Sequence, residues 1–258
     1  MSWTRFVAIG DSFSEGLGDP DPSAPGGWRG WADRVADALS QGTDAFAYAN
    51  LAVRGRLLGR IVDEQVPAAL ALHPDLVAVS GGGNDLLRPG ADVDSLGALL
   101  DEAVGRLRDE NIDVILFTGV DPADSPVIRR LRGRIAAYNE HVRAIAERRG
   151  TFVVDLWTMH VLRDWRMWAE DRLHMSTPGH RRVALAVLET LGLPVEPATW
   201  REPLPPLPEL SYSARLLREV RWARTYFAPW LMRHLRGRST GDGRTAKRPA
   251  LAPPGART

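Results

Sequence analysis

Five short apolar runs, Phe6 to Ile9, Phe46 to Ala49, Leu76 to Val79, Val114 to Phe117 and Phe152 to Val154, punctuate the chain up to residue 154. Runs that are apolar throughout, not alternately polar, mark strands with both faces covered. The intervals carry helical spacing: Trp31 to Leu39, Leu57 to Leu72, Leu96 to Leu107 and Ile128 to Ile145. In the third, Leu96, Leu99, Leu100, Ala103, Val104 and Leu107 fall at i, i+3, i+4, i+7, i+8 and i+11, one face of a helix. A further helical pattern, Thr177 to Leu191, has Pro178 suited to its first turn. Strands joined by such helices run parallel, through right-handed crossovers. The expected architecture is therefore an α/β fold: a three-layer α/β/α sandwich around a five-stranded parallel sheet.

After Gly192 the composition changes. Pro194, Pro197, Pro203, Pro205, Pro206 and Pro208 predict an extended, non-helical linker over 193–209. Residues 210–236 regain helical spacing, broken by Pro229, and residues 237–258, rich in Gly, Pro, Arg, Ser and Thr, read as disordered. The regular part, 1–192, is then one catalytic-size domain. Charge divides at the same place: the chain is +1 overall, but residues 200–258 carry +8 and the preceding ones −7. Lys247 is the sole lysine among all these cations. A basic extension on a mildly acidic body points to an anionic partner for the extension alone.

In the 210–236 segment, Leu216, Val220, Ala223 and Phe227 share one stripe, with Arg215, Arg218 and Arg221 on the other side. Packing of that stripe on the domain is the commoner fate of such a helix. Peripheral contact with an anionic membrane surface is the other reading. The chain has no cysteine, which excludes disulfides, thiolate metal sites and cysteine nucleophiles. Met1 to Arg5 leads directly into the first apolar run, without the n- and h-regions of a secretory signal, so a cytoplasmic location is the expectation.

In a doubly wound sheet, ligands bind beyond the carboxyl ends of the strands. Gly10-Asp11-Ser12 follows the first predicted strand, Asn50 to Gly55 the second, and Gly81-Gly82-Gly83-Asn84-Asp85 the third. Asp171-Arg172-Leu173-His174 comes after the fifth, directly ahead of the last helix. These four loops share one end of the sheet. They hold a hydroxyl, an imidazole, a carboxylate and amide donors, the inventory of acyl transfer.

On these residues the chain resembles the SGNH hydrolases, the GDSL family of esterases and lipases, over roughly residues 4–192. Gly10-Asp11-Ser12 matches the first block, Asn50 with Gly55 the second, and Gly82-Gly83-Asn84-Asp85 the third. Asp171 to His174, continuing through Ser176 to Gly179-His180, matches the fifth. Met175 stands where proline often follows the histidine, a departure at the pocket rim. The resemblance implies a flavodoxin-like fold and a serine hydrolase of carboxylic esters. It implies Ser12 as nucleophile, His174 as base, Asp171 as the group orienting His174, and an oxyanion hole from the Ser12 and Gly55 amides and the Asn84 side chain. The same triad serves an acyltransferase or thioesterase, and a binding or scaffold module on this fold is a rival from another class.

Asp85 reads as a turn and cap residue, and Asp11 as a brace for its loop. His73, His141, His160, His180 and His234 are expected to have no catalytic role. The long Gly- and Pro-rich loop after Ser12 should border the cleft, making Trp28 a candidate substrate contact, with Trp157, Trp165 and Trp168 as further candidate walls. Zinc-helix, nucleophile-elbow, dinucleotide and P-loop motifs are missing. No metal, cofactor or nucleic acid is implied, and the partner is a small-molecule or lipid ester.

Overall fold

The computed structural model describes residues 3–43, 45–125, 128–196, 198–208, 211–235 and 239–255. Of the positions named above, Pro197 and the side chain of His234 lie outside that set, as do the two ends of the 210–236 segment, Leu210 and Arg236.

The expected strands form as β1 (Arg5–Ile9), β2 (Ala47–Asn50), β3 (Leu76–Val79), β4 (Asp113–Phe117) and β5 (Phe152–Val154). They pair in parallel in the order β5-β4-β3-β1-β2, a flavodoxin-like sequence of crossovers. Strand residues alternate between two cores. Phe6, Ala8, Leu76 and Ala78 face the layer of α2 (Gly30–Ser40) and α8 (Thr177–Thr190). Val7, Ile9, Val77 and Val79 face the layer of α6 (Val93–Arg108) and α7 (Arg132–Arg149). Five of the six residues of the predicted α6 stripe are buried, and Leu99 packs at the core's edge. Both sheet faces are thus covered, which is why the strands needed no polar alternation.

The Leu57 to Leu72 pattern forms one helical run with a defect. α3 (Leu58–Arg60) passes through a π-turn over Ile61–Gln65 into α4 (Val66–Leu70). The Val66 N–H reaches back to the Ile61 carbonyl. Pro67 has no N–H for the preceding turn, and the wider turn just before it accommodates the ring.

Three expectations about the C-terminal part need correction. The sheet has six strands, not five, because β6 (Arg248–Ala252) adds antiparallel to the β2 edge with Asn50 opposite Arg248 and Tyr48 opposite Ala252. Residues 248–252, part of the tail expected to be disordered, therefore form a strand on this edge. An exposed sheet edge offers unpaired backbone groups that reward any extended segment, and Pro249 is tolerated because an edge strand has a solvent side. Lys247 locks the arrival: its Nζ donates to the carbonyls of Trp28 and Arg29, both at 2.9 Å, and to Asp33 at 2.6 Å.

The Pro-rich segment is no free linker either. It contains a 3-10 turn over Ala198–Arg201, and Trp200 is buried in the α2/α8 core with Leu193, Val195 and Leu204 beside it. Finally, Pro229 does not break the extension. α9 (Tyr212–Trp222) continues through a second π-turn, Ala223–Phe227, into α10 (Ala228–Leu235), again with the proline just past the wide turn.

Candidate active site

The order of the sheet reverses direction between β1 and β3, and ligand clefts open at such switch points. Ser12 begins the single-turn helix α1 (Ser12–Glu15) directly after β1, and Asn84 lies in α5 (Gly83–Leu86) after β3. Gly55 comes from the loop after β2, and Asp171 and His174 from the loop ahead of α8. All five line one cleft of about 280 Å³.

Within it, His174 Nδ1 is 2.6 Å from Asp171 Oδ2, while Asp171 Oδ1 accepts from the backbone N–H groups of Leu173 and His174, each at 3.0 Å. Burial works to raise the Asp171 pKa. The hydrogen bond and charge of His174, with the two backbone donors, outweigh it and hold the carboxyl below the ordinary range. An ionised Asp171 orients the ring with Nδ1 protonated, leaving Nε2 as the basic edge. Ser12 Oγ and His174 are not hydrogen-bonded to each other among the described residues, although both border the cleft.

The Ser12 and Gly55 backbone N–H groups have no acceptor among the described residues, so both are available to a ligand. Asn84 differs. Its Nδ2 donates to Asp11 Oδ2 at 3.0 Å and to the Arg56 carbonyl at 3.1 Å, so both amide protons have acceptors. Asp11 also accepts from Phe13 N–H at 3.0 Å and is buried. Burial pushes its carboxyl up to about 6, against the pull of Phe13 and of the His174 charge.

The loops are tied together by buried polar side chains, among them a pair that the sequence did not single out. Glu15, at the end of α1, makes a bidentate pair with Arg54 and accepts the Arg54 N–H at 2.6 Å, both side chains being buried. That pair fixes the Gly55 loop to the helix carrying Ser12. Asn50 donates to the Ser14 carbonyl and to Tyr48 Oη, both at 2.8 Å, and Asp85 accepts from Leu58 N–H at 3.0 Å, capping α3. His180 is buried between Trp31 N–H and the Leu17 carbonyl, and burial lowers its pKa to about 4, so it serves as a neutral brace. No cluster of His, Asp or Glu arranged to hold a metal occurs among the described residues.

The C-terminal extension forms one side of the cleft. Trp222, Phe227 and Trp230 line it together with Leu87, Ile128 and Trp165, and Ser239 reaches the Gly55 carbonyl. Gly55 has φ +72°, and a Cβ there would collide with Ser239 Oγ, just as one on Gly241 would collide with the Arg54 carbonyl. The positive φ at 55 calls for glycine, and the returning tail packs Ser239 directly against it. Of the tryptophans expected at the cleft only Trp165 reaches it. Trp28 instead offers its carbonyl to Lys247, Trp157 lies under Arg132, and Trp168 donates to the Leu162 carbonyl.

α9 also grips the loop of Asp171. Arg172 sits at φ +57°, a strained conformation for a side chain-bearing residue, and its guanidinium pairs bidentately with Glu219 at 2.6 and 2.8 Å. The same guanidinium stacks between Trp165 and Trp222 at 5.2 and 4.6 Å. Trp222 Nε1 donates to the Asp171 carbonyl at 3.2 Å and Tyr226 to Glu170 at 2.7 Å. Three consecutive loop residues are therefore held from one helix. Glu219→Gln should lower kcat on a soluble ester roughly tenfold, because it loosens the loop that carries Asp171 and His174 and small displacements of positioned groups are costly. Glu219→Asp should keep most of the activity, and steady-state kinetics beside thermal melts separate this from unfolding.

The family model of the GDSL-like lipase/acylhydrolase family matches residues 8–182, more than half of the chain, and spans every loop of the cleft's core. The chain belongs to the GDSL-like lipase/acylhydrolase family. It is a carboxylic ester hydrolase by class, with the SGNH fold. Among solved structures, Axe2, an acetylxylan esterase from Geobacillus stearothermophilus, is 22% identical over 74% of this chain and 95% of its own, with a TM-score of 0.61. TesA is 26% identical over 73% and 98%, with a TM-score of 0.59. LAE5, an alpha/beta hydrolase enzyme from the metagenome of Lake Arreo, Spain, is 23% identical over 73% and 95%, with a TM-score of 0.62. No curated protein matches the chain. The family match ends before the Pro-rich segment, so α9, α10 and β6 are additions to this GDSL-like domain.

Proposed function

We propose that this GDSL-like hydrolase cleaves carboxylic esters with apolar acyl groups through an acyl-Ser12 intermediate. The observation that supports it is the meeting of Ser12, the Asp171–His174 pair and two unpartnered N–H groups in a cleft with aromatic and aliphatic walls. Ser12 Oγ attacks the ester carbonyl while its proton passes to His174 Nε2. The carbonyl π electrons move onto oxygen, where the Ser12 and Gly55 N–H groups receive the charge. Asn84 joins them by trading the Arg56 carbonyl for the oxyanion, its other proton staying on Asp11. The tetrahedral species collapses, the bond to the leaving oxygen breaks, and that oxygen takes the proton from His174. Water then repeats the sequence: it gives a proton to His174, attacks the acyl carbon, and the proton returns to Ser12 as the acid leaves. The chemistry requires Ser12 Oγ to come within hydrogen-bond reach of Nε2, a separation that substrate-free catalytic pairs often exceed.

Trp165, Trp222, Phe227 and Trp230 give the cleft, which Arg88 and Arg172 also line, aromatic walls suited to an acyl chain. A fluorophosphonate probe together with p-nitrophenyl esters of graded chain length tests the reading. Labelling confined to Ser12, with kcat/KM rising from acetyl to longer chains, is expected. A label on another serine, or turnover without labelling, overturns it.

A further inference from the structure

α9 meets the catalytic domain with its polar and aromatic side: Glu219, Trp222 and, within the π-turn that follows, Tyr226 make the contacts described above. No residue of α9 is buried. The first half of the stripe expected to pack inward does not: Leu216 is 52% and Val220 47% exposed, and beside them Leu217 is 71% exposed, whereas Phe227 turns to the cleft. Of the seven large hydrophobic residues that are exposed among the described ones, five (Tyr212, Leu216, Leu217, Val220 and Met232) lie on α9 and α10. That concentration makes a patch of what would otherwise be ordinary scattered exposure.

Leu217, Val220, Arg221 and Arg224 follow one another at i, i+3, i+4 and i+7, so leucine, valine and two exposed arginines share the outward face. A face that mixes aliphatic side chains with arginine suits an interface having both apolar depth and negative charge, since the arginine stems lie along apolar surface while their heads reach outward. We infer that the outward face of α9 docks on an anionic lipid surface, setting the cleft's Trp222–Trp230 wall at the membrane. A second copy of the chain is the poorer fit, because residues 200–258 carry +8 and pairing two such faces opposes like charges. No helix among the described residues is long and apolar enough to cross a bilayer, so the contact is peripheral.

Co-sedimentation of the full chain with vesicles tests this. Equimolar phosphatidylcholine/phosphatidylglycerol vesicles should bind it in a salt-sensitive manner, and pure phosphatidylcholine vesicles far more weakly. Replacing Arg221 and Arg224 with Gln should weaken binding about 30-fold, from the usual contribution of a cation near such a surface. Leu216→Gln with Leu217→Gln should cost at least about tenfold. Hydrolysis of a soluble p-nitrophenyl ester should be unchanged in both variants, which shows that they are folded. Absence of binding to the anionic vesicles, or equal binding by wild type and variants, overturns the inference. So does a dimer in sedimentation velocity that the leucine variant dissolves. Binding is read without turnover, so this failure is distinct from failure of the esterase reading.

Discussion

Ser12→Ala should reduce ester hydrolysis by roughly 10⁴-fold or more, and His174→Ala by a similar factor, because nucleophile and base act as one unit. The double variant should be no worse than either single one, since a residual rate owed to the oxyanion donors and to binding survives the loss of both. Asp171→Asn adds a sharper expectation. Its amide oxygen can still accept from Leu173 and His174 N–H, so the loop keeps its shape, while the ring loses the anion that fixes its tautomer. A fall of roughly 10⁴-fold with an unchanged melting temperature is expected. Titration of p-nitrophenyl ester hydrolysis, with thermal melts on the same samples, checks all of these. Ser12→Ala retaining more than a tenth of wild-type kcat would remove Ser12 from the reaction.

Asn84→Ala should lower kcat by roughly 10²–10³ with little change in KM, the signature of a donor used only once charge develops on the carbonyl oxygen. The substrate-free arrangement makes this a demanding prediction. Both Asn84 protons already have acceptors, Asp11 Oδ2 and the Arg56 carbonyl. The bond to Asp11 aims the amide, and the bond to a neutral carbonyl is the weaker one to surrender to an oxyanion. A kcat within twofold of wild type would mean that Asn84 stays on Arg56 throughout and that the Ser12 and Gly55 amides hold the charge alone.

Much of this domain was legible before any coordinates. The strand runs at Leu76–Val79 and Phe152–Val154 form with the expected bounds, because continuous apolar stretches have only one way to satisfy a covered sheet. Ser12, Gly55, Asn84, Asp171 and His174 could be named from four separate stretches, since strand ends in this topology open on one cleft. The ties between those stretches were not legible. Glu15 with Arg54, and Arg172 with Glu219, are ordinary charged residues whose partners lie 39 and 47 positions away. Nothing local distinguishes them from a solvated surface pair. Trp28 illustrates the reverse error: its loop position pointed to the cleft, but it does not line the cleft and its carbonyl accepts from Lys247.

Local pattern alone determined the layers and the parallel core of the sheet, because burial period and turn chemistry act over a few residues. Only the tertiary structure decided what the last sixty or so residues do. The described ones among them are held by one free sheet edge, one lysine ammonium and one arginine clasp. Such ordering depends on surfaces that exist only after the domain has folded, and no window of sequence contains them.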